Sequence, residues 1–102
     1  MIKTIVVDEY VLDVLMRDIV GHDRAPSAFL VYLHLWSESH RQSKAFVRAS
    51  HQSMAEAIGL SKSAVQKAIR YLEGRTLIRT RKASRTATPE YRVLRTWRRS
   101  NG

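Results

Sequence analysis

The chain has 102 residues, no cysteine and a net charge of +9. Its hydrophobic content of 44% is that of a globular domain rather than a disordered chain, and the lack of cysteine excludes a disulfide framework and a thiolate metal site. No apolar run is long enough to span a membrane, and the N-terminus lacks the pattern of a signal peptide. We therefore expect one small domain in a reducing cytoplasm.

The charge is divided unevenly along the chain. Residues 1–40 contain three Lys or Arg and six Asp or Glu, whereas residues 41–102 contain fifteen and three. The first portion thus carries −3 and the second +12. A basic surface on one side of a domain indicates a polyanionic partner such as nucleic acid, although a solubilising excess of charge would have the same composition.

The N-terminal residues predict an arm and a helix. Residues 1–7 are apolar and β-branched, as in a short strand or an extended arm. Asp8 is expected to cap a helix that reaches Val20 and is closed by Gly21. A broad apolar stripe would face the rest of the domain: Val11, Leu12, Leu15, Met16 and Ile19.

A second, more apolar helix follows a connector of residues 21–26. Pro26 suits the first turn of a helix, and residues 27–39 are apolar almost all round, which indicates burial on several sides. His34 within it is more simply a half-buried, hydrogen-bonded residue than a ligand. Residues 37–44 are polar and predict a loop, and residues 45–48 predict a short strand.

Residues 50–78, SHQSMAEAIGLSKSAVQKAIRYLEGRTLI, predict a short helix, a tight turn, a longer helix and the start of a strand. Ser50 and Ser61 can cap the two helices, and Gly59 suits a positive φ at the turn. One face of the longer helix is apolar at the spacing i, i+3, i+4 and i+7: Val65, Ala68, Ile69 and Leu72. Its opposite face is polar and cationic: Lys62, Ser63, Gln66, Lys67 and Arg70.

This stretch resembles the core of the winged helix-turn-helix regulators, most closely those of the MarR type. Eight residues match that pattern in place: Gly59, Leu60, Ser61, Val65, Leu72, Glu73, Leu77 and Ile78. The family usually has glycine just before the Leu-Ile strand, where this chain has Thr76, and Gly74 would supply the flexibility two residues early. The resemblance implies an α+β fold, mainly α with a small antiparallel β-sheet.

The wing of such a fold is predicted over residues 77–94. Residues 77–82 and 90–94 are strand-like, and the polar residues 83–89 between them suit a hairpin turn. Three side chains are expected to face inward: Ile78, Tyr91 and Val93. We therefore assign residues 1–24 to an N-terminal arm and helix, residues 25–97 to a winged helix-turn-helix domain and residues 98–102 to a basic tail. Trp97 is expected to pack on the core, while Arg98 and Arg99 are either solvated or in contact with phosphate.

The resemblance implies that residues 62–73 form a recognition helix that enters a DNA major groove. Base contacts are assigned to its N-terminal half: Ser63, Gln66 and Lys67. Phosphate contacts are assigned to the helix starts and the wing: Ser50, His51, Gln52, Ser61, Lys62, Arg70, Arg81, Lys82 and Arg85. Each of these side chains could instead be a solvated surface group.

The predicted function is therefore sequence-specific binding of double-stranded DNA by a transcriptional regulator, cytoplasmic and nucleoid-associated. One alternative is a plasmid or phage replication or partition protein, and another is a winged-helix protein-interaction module without DNA binding. RNA binding would favour aromatic residues exposed on a sheet, and none is evident. Because N-terminal extensions of the resembled families often mediate dimerisation, residues 1–20 either form a homodimer contact or only pack over the core.

Signatures of catalysis are missing from the sequence. The four histidines form no HExxH pair, no Gly-rich phosphate loop follows a strand, and no nucleophile elbow is present. The sequence predicts no enzyme activity, no cofactor and no metal site.

Overall fold

The computed structural model describes residues 1–98. Within them an N-terminal helix (residues 9–22) precedes three further helices: α1 (Pro26–Gln42), α2 (His51–Ile58) and α3 (Lys62–Gly74). Three strands complete the fold: β1 (Val47–Arg48), β2 (Ile78–Arg81) and β3 (Glu90–Val93). The strands form one antiparallel sheet in the order β1-β3-β2. This is the α+β winged helix-turn-helix that the sequence predicts, with an extra helix at its N-terminus.

Helix α1 is the centre of the core. It packs against α2, α3, β1, β3 and the N-terminal helix, which is why the sequence is apolar on most of its sides. Its buried side chains are Ala28, Phe29, Val31, Tyr32, Leu35 and Trp36. Leu30 is 43% exposed, so one side of this helix faces solvent. The side chain of His34 is half-buried, as predicted, but within residues 1–98 the imidazole does not form the predicted hydrogen bond; the hydroxyl of Ser37 donates to the backbone carbonyl of His34 instead.

Helix α1 is longer than the sequence pattern suggests. The helix continues to Gln42, so the prediction of a loop over residues 37–44 is wrong for most of that range. Ser43 ends the helix in the left-handed conformation, with φ of 51°. The last turns are polar because they project from the core into solvent, and a polar sequence alone does not distinguish an exposed helix end from a loop.

The N-terminal helix has an unusually wide turn. Met16 donates its backbone N–H to the carbonyl of Val11, five residues earlier, and Asp23 does the same to Asp18 at 2.8 Å. Helices of this i→i+5 type are rare and are not signalled by an apolar periodicity of 3.6. The helix also passes through Gly21 to His22, rather than ending at Val20.

The N-terminal helix buries a narrower face than its apolar pattern predicts. Only every fourth residue of the predicted stripe is buried: Val11, Leu15 and Ile19. Leu12 and Met16, which the 3.6-residue pattern placed inside, remain 46% and 42% exposed. The helix therefore packs over the core and at the same time presents apolar side chains to solvent.

The N-terminal arm is held to the C-terminal residues. The arm is extended, and Trp36 donates its indole N–H to the carbonyl of Val6 at 2.9 Å. The ring of Trp97 stacks on that of Trp36, with centroids 6.3 Å apart, so Trp97 packs on the core as predicted. The carboxylate of Asp8 accepts hydrogen bonds from Arg98 and from the indole of Trp97, which hold its pKa at about 2. Asp8 is therefore an anchor for the chain end and not the helix cap that we expected.

Helix α3 ends in a Schellman turn with threonine at the left-handed position. Thr76 has φ of 56°. Thr76 donates its N–H to Glu73 at 3.1 Å, and Leu77 donates to Leu72 at 2.9 Å. Gly74 is helical and lacks a positive φ, so it does not replace the glycine that the resembled family has at this turn.

We expect Thr76→Gly to raise the free energy of unfolding by about 0.5–1 kcal/mol. The left-handed conformation costs an L-residue roughly 1–2 kcal/mol, part of which is offset by the greater chain entropy of glycine in the unfolded state. Urea denaturation would measure the change. Thr88→Gly is the control, because Thr88 is also exposed but lacks a positive φ. It should lower stability, and a similar loss for Thr76→Gly would contradict the argument.

Candidate nucleic-acid interface

Helices α2 and α3 are positioned by local hydrogen bonds that the sequence predicts. Ser50 caps α2 by accepting the N–H of Ser53 at 3.0 Å, and the hydroxyl of Ser53 accepts the N–H of Ser50 at 3.1 Å. Gly59 ends α2 with φ of 89°. Ser61 then caps α3 by accepting the N–H of Ala64 at 3.1 Å. The turn between the two helices is thus fixed at both ends.

Helix α3 separates an apolar face from a polar one. The apolar face is buried as predicted: Val65, Ala68, Ile69 and Leu72. On the opposite side Ser63, Lys67 and Arg70 are exposed at the spacing i, i+4 and i+7, one above another along the helix. Gln66 lies beside them and is half-buried. The three predicted base contacts therefore share one side of α3, although Gln66 is less accessible than the others.

A cationic cleft lies where α2, α3 and the hairpin meet. It has a volume of about 240 Å³. Its lining includes five of the nine predicted phosphate contacts together with Pro89: Ser50, His51, Gln52, Lys62 and Lys82. The N-terminus of α2 lies here, so the positive end of its helix dipole and two lysines meet in one place. An arrangement of this kind favours an anion.

The charge of the cleft is reflected in its histidine. Partial burial lowers the pKa of His51, and the neighbouring Lys62 and Lys82 lower it further. Glu73 acts in the opposite direction and has a smaller effect. Protonation of the His51 imidazole is therefore disfavoured while no anion offsets the charges of the two lysines.

Besides Ser50, which caps α2, two of the polar side chains at the helix starts are already engaged within the protein. Gln52 donates its amide N–H to the carboxylate of Glu56 at 2.7 Å. The hydroxyl of Ser61 accepts from Ala64 and lies 3.3 Å from the hydroxyl of Ser63. A phosphate contact by either would compete with these bonds, whereas a lysine ammonium has three N–H donors and can bind a phosphate while it keeps an internal hydrogen bond, so Lys62 and Lys82 are the stronger candidates in this region.

The hairpin separates the three predicted wing contacts. Lys82 donates to the carbonyl of Arg85 at 3.0 Å and stabilises the turn, and the side chain of Arg85 is exposed. Arg81 instead donates to Glu90 at 2.9 Å, and its guanidinium lies 3.7 Å from the centroid of the Phe46 ring. Arg81 is therefore held across the outer face of the sheet, away from the cleft, and its hydrogen bond lowers the pKa of Glu90.

Comparison with known proteins agrees with this geometry. Residues 25–78, from the start of α1 through the start of β2, match the model of a family described as a helix-turn-helix domain. The chain belongs to this helix-turn-helix family. The match supports a helix-turn-helix protein that binds DNA. No curated protein and no solved structure matches the chain.

The C-terminal half of α3 in this helix-turn-helix domain has an anchor that the sequence analysis missed. Asp23, in the connector before α1, accepts hydrogen bonds from the hydroxyl of Tyr71 and the guanidinium of Arg75. Burial and Asp23 raise the pKa of Tyr71 to about 12, so its hydroxyl remains a donor. The one sequence signal for this anchor is the pair Tyr71 and Arg75, one helical turn apart. Their shared partner Asp23 lies 48 residues before Tyr71 and 52 before Arg75, and no local pattern indicates it.

The remaining sequence predictions concern the tail and other classes of site. Arg98 is paired with Asp8, and its donation to that carboxylate raises its pKa. Arg99 and the rest of the predicted basic tail lie outside the described residues. Within residues 1–98 the His, Asp and Glu side chains form no group of three that could hold a metal ion. Over the same residues, none of the helices is long and apolar enough to cross a membrane.

Proposed function

We propose that this helix-turn-helix protein is a sequence-specific regulator of transcription that binds double-stranded DNA, of the winged type represented by the MarR regulators. The observation that carries the proposal is the exposed cationic side of α3 next to the cleft that contains Lys62 and Lys82. A helix with this distribution can enter a major groove while the cleft holds the adjacent backbone. We place its action in the cytoplasm, at the nucleoid.

The proposed contacts divide by chemistry. Ser63, Gln66 and Lys67 would read base edges, with the amide of Gln66 suited to adenine and the ammonium of Lys67 to guanine. The phosphate contacts would fix position without reading sequence. They comprise the cleft residues, Ser61 and Arg70 of α3 and the wing residues Arg81 and Arg85. A replication or partition protein would use the same interface, whereas a protein-interaction module is disfavoured by the cationic surface of α3.

A selection from random duplex DNA tests the proposed function. The full chain is expected to enrich one short motif, and its affinity for that duplex should fall as salt rises, by roughly 0.9 log units per contacted phosphate for each log unit of salt. Affinity for an unrelated duplex should be lower but equally salt-dependent. Enrichment of no motif would contradict sequence-specific binding, and a salt-independent affinity would contradict the phosphate contacts.

We further propose a domain division in which residues 1–24 serve dimerisation, residues 25–97 bind DNA and residues 98–102 form a basic tail. Three apolar side chains of the N-terminal helix are exposed at a spacing of four residues: Leu12, Met16 and Val20. Leu30 of α1 is exposed to a similar extent. A two-fold pairing of this surface would bury the same patch on both copies.

Replacing Leu12 and Met16 by glutamate should convert a dimer into monomers, because four buried carboxylates would then oppose one another at the two-fold interface. Sedimentation equilibrium measures the change. Point substitutions are preferable to deletion of residues 1–20, since Val11, Leu15 and Ile19 belong to the core. The control is Arg17→Glu on the same helix, which should leave the dimer intact. A monomeric parent protein would exclude this interface.

DNA binding should be coupled to protonation of His51. A phosphate in the cleft would oppose Lys62 and Lys82 and raise the pKa of His51, so the complex would take up a proton. Affinity should therefore increase as pH falls from 8 through the interval between the pKa values of His51 in the free and the bound protein. If DNA binding raises that pKa by one, the total increase in affinity is about tenfold. Fluorescence anisotropy at constant ionic strength measures it. His51→Gln should remove the pH dependence, whereas His40→Gln, at an exposed position on α1, should retain it.

A further inference from the structure

The outer face of the sheet is strongly cationic. Side chains alternate along the strands, so Ile78, Tyr91 and Val93 are buried while their neighbours face solvent. Those neighbours comprise four arginines and one acidic residue: Arg48, Arg79, Arg81, Arg92 and Glu90. This composition is unusual for an antiparallel sheet, where opposite charges usually face one another across strands.

The single acidic residue serves only part of this face. Glu90 accepts from Arg81 at 2.9 Å and lies 3.9 Å from the guanidinium of Arg48. Arg79 and Arg92 are direct partners across β2 and β3, and both are exposed. In residues 1–98 neither of them forms an ion pair or a side-chain hydrogen bond. Two like charges therefore face one another without compensation.

Protection of the sheet edge accounts for only one of the two arginines. A charged residue on an edge strand prevents pairing with another chain, and β2 is an edge strand. Arg92, however, is on β3, the central strand of the sheet. A like-charge pair directly across two strands lowers stability, so a structural role does not account for Arg92 opposite Arg79.

We propose that Arg79 and Arg92 form a second phosphate-binding surface, which contacts the backbone of the same DNA duplex that α3 enters. This inference rests on the proposed function. The surface adjoins the proposed interface along β2: Arg79 and Arg81 share the outer face, and Arg81 is followed by Lys82 of the cleft, so about 10 Å of strand separate Arg79 from the cleft. The two guanidinium groups project from directly paired positions, and each can present two N–H donors to phosphate oxygens. A phosphate backbone supplies the negative charge that the sheet lacks.

The test compares two variants that each remove two positive charges. Arg79→Gln with Arg92→Gln removes the proposed surface. Lys3→Gln with Arg41→Gln is the control, because these two cations line one groove between the arm and the end of α1, outside the proposed interface. Affinity for the selected duplex is measured by fluorescence anisotropy from low to high salt, and unfolding is measured by thermal denaturation.

We expect the sheet variant to bind about tenfold more weakly than the control at low salt. For this variant the slope of log affinity against log salt concentration should be shallower by about 1.8, as for two lost phosphate contacts. Its unfolding temperature should equal or exceed that of the parent, because a repulsive pair has been removed. Arg79→Lys with Arg92→Lys should keep the salt dependence while losing part of the affinity, since lysine retains the charge but not the bidentate geometry.

Equal affinities and salt dependences of the sheet variant and the control would overturn this inference. That outcome leaves the proposed function intact if the parent still prefers its selected duplex. Failure of the parent to bind duplex DNA would instead contradict the proposed function itself. Weaker binding by the sheet variant together with a lowered unfolding temperature would also count against the inference, because the loss would then follow from the fold.

Discussion

Replacing Gln66 and Lys67 by alanine is expected to remove most of the preference for the selected duplex over an unrelated one. A good pair of hydrogen bonds to a base edge contributes about 1–3 kcal/mol of discrimination. Loss of two such contacts should reduce the preference roughly thirtyfold or more. Affinity for unrelated DNA should fall much less, since only Lys67 contributes positive charge.

The fold should tolerate this double substitution. Lys67 is exposed, Gln66 is only half-buried, and neither residue belongs to the buried face of α3. Alanine has the highest helix propensity, so α3 should form at least as readily as in the parent. Circular dichroism and thermal unfolding would establish that any lost discrimination arises at the interface.

Lys62→Ala with Arg70→Ala provides the matched control on the same helix. Both side chains are exposed and are proposed to contact phosphates, so their loss should weaken binding to selected and unrelated duplexes by similar factors. Retention of full sequence preference by Gln66→Ala with Lys67→Ala would show that the bases are read elsewhere. A loss of preference for the selected duplex in the variant Lys62→Ala with Arg70→Ala would likewise contradict the division into base and phosphate contacts.

The parts of the fold that could be predicted from sequence depend on neighbouring residues. The caps at Ser50 and Ser61, the turn at Gly59 and the apolar face of α3 each arise from residues within one or two helical turns. The strands of the wing follow from alternation over a few residues. These short-range signals were sufficient to identify the helix-turn-helix and the cationic side of α3.

The features that could not be predicted depend on distant partners. The N-terminal helix has i→i+5 geometry and packs on α1 through residues 17–22, and an apolar pattern determines neither the width of a helical turn nor the packing partner. Asp8 would suit a helix cap, but Trp97 and Arg98, about 90 residues later, occupy its carboxylate. Thr76 is intermediate, because the sequence indicated the unusual position while the structure gives its left-handed φ.

The candidate site shows the same division. Three of the predicted phosphate contacts, Lys62, His51 and Lys82, lie together in one cleft of the structure. Arg81 is also a predicted phosphate contact, yet its guanidinium lies against Phe46 and Glu90 on the outer face of the sheet. Residue type indicates what a side chain can bind, whereas its direction depends on cross-strand neighbours that only the register reveals.

Trp36→Ala is expected to have the largest effect on stability, lowering the free energy of unfolding by about 3–5 kcal/mol. Trp36 is 2% exposed and is among the largest buried side chains of the core. Its ring contacts those of Tyr32 and Trp97, and the guanidinium of Arg95 lies 4.2 Å from its centroid. Removal of the ring would leave a cavity in the core next to both ends of the chain, and DNA binding should fail because the domain unfolds.

Two further substitutions separate the contributions of Trp36. Trp36→Phe keeps an aromatic ring but loses the hydrogen bond to Val6 and part of the buried area, so it should cost about 1–2 kcal/mol and release the N-terminal arm, which limited proteolysis would detect. Leu30→Ala is the control on the same helix, where 43% exposure predicts a smaller loss. A loss below about 1 kcal/mol for Trp36→Ala would mean that the core does not depend on this ring. The arm and the C-terminal residues would then be held mainly by Asp8, and Asp8→Asn would have the larger effect.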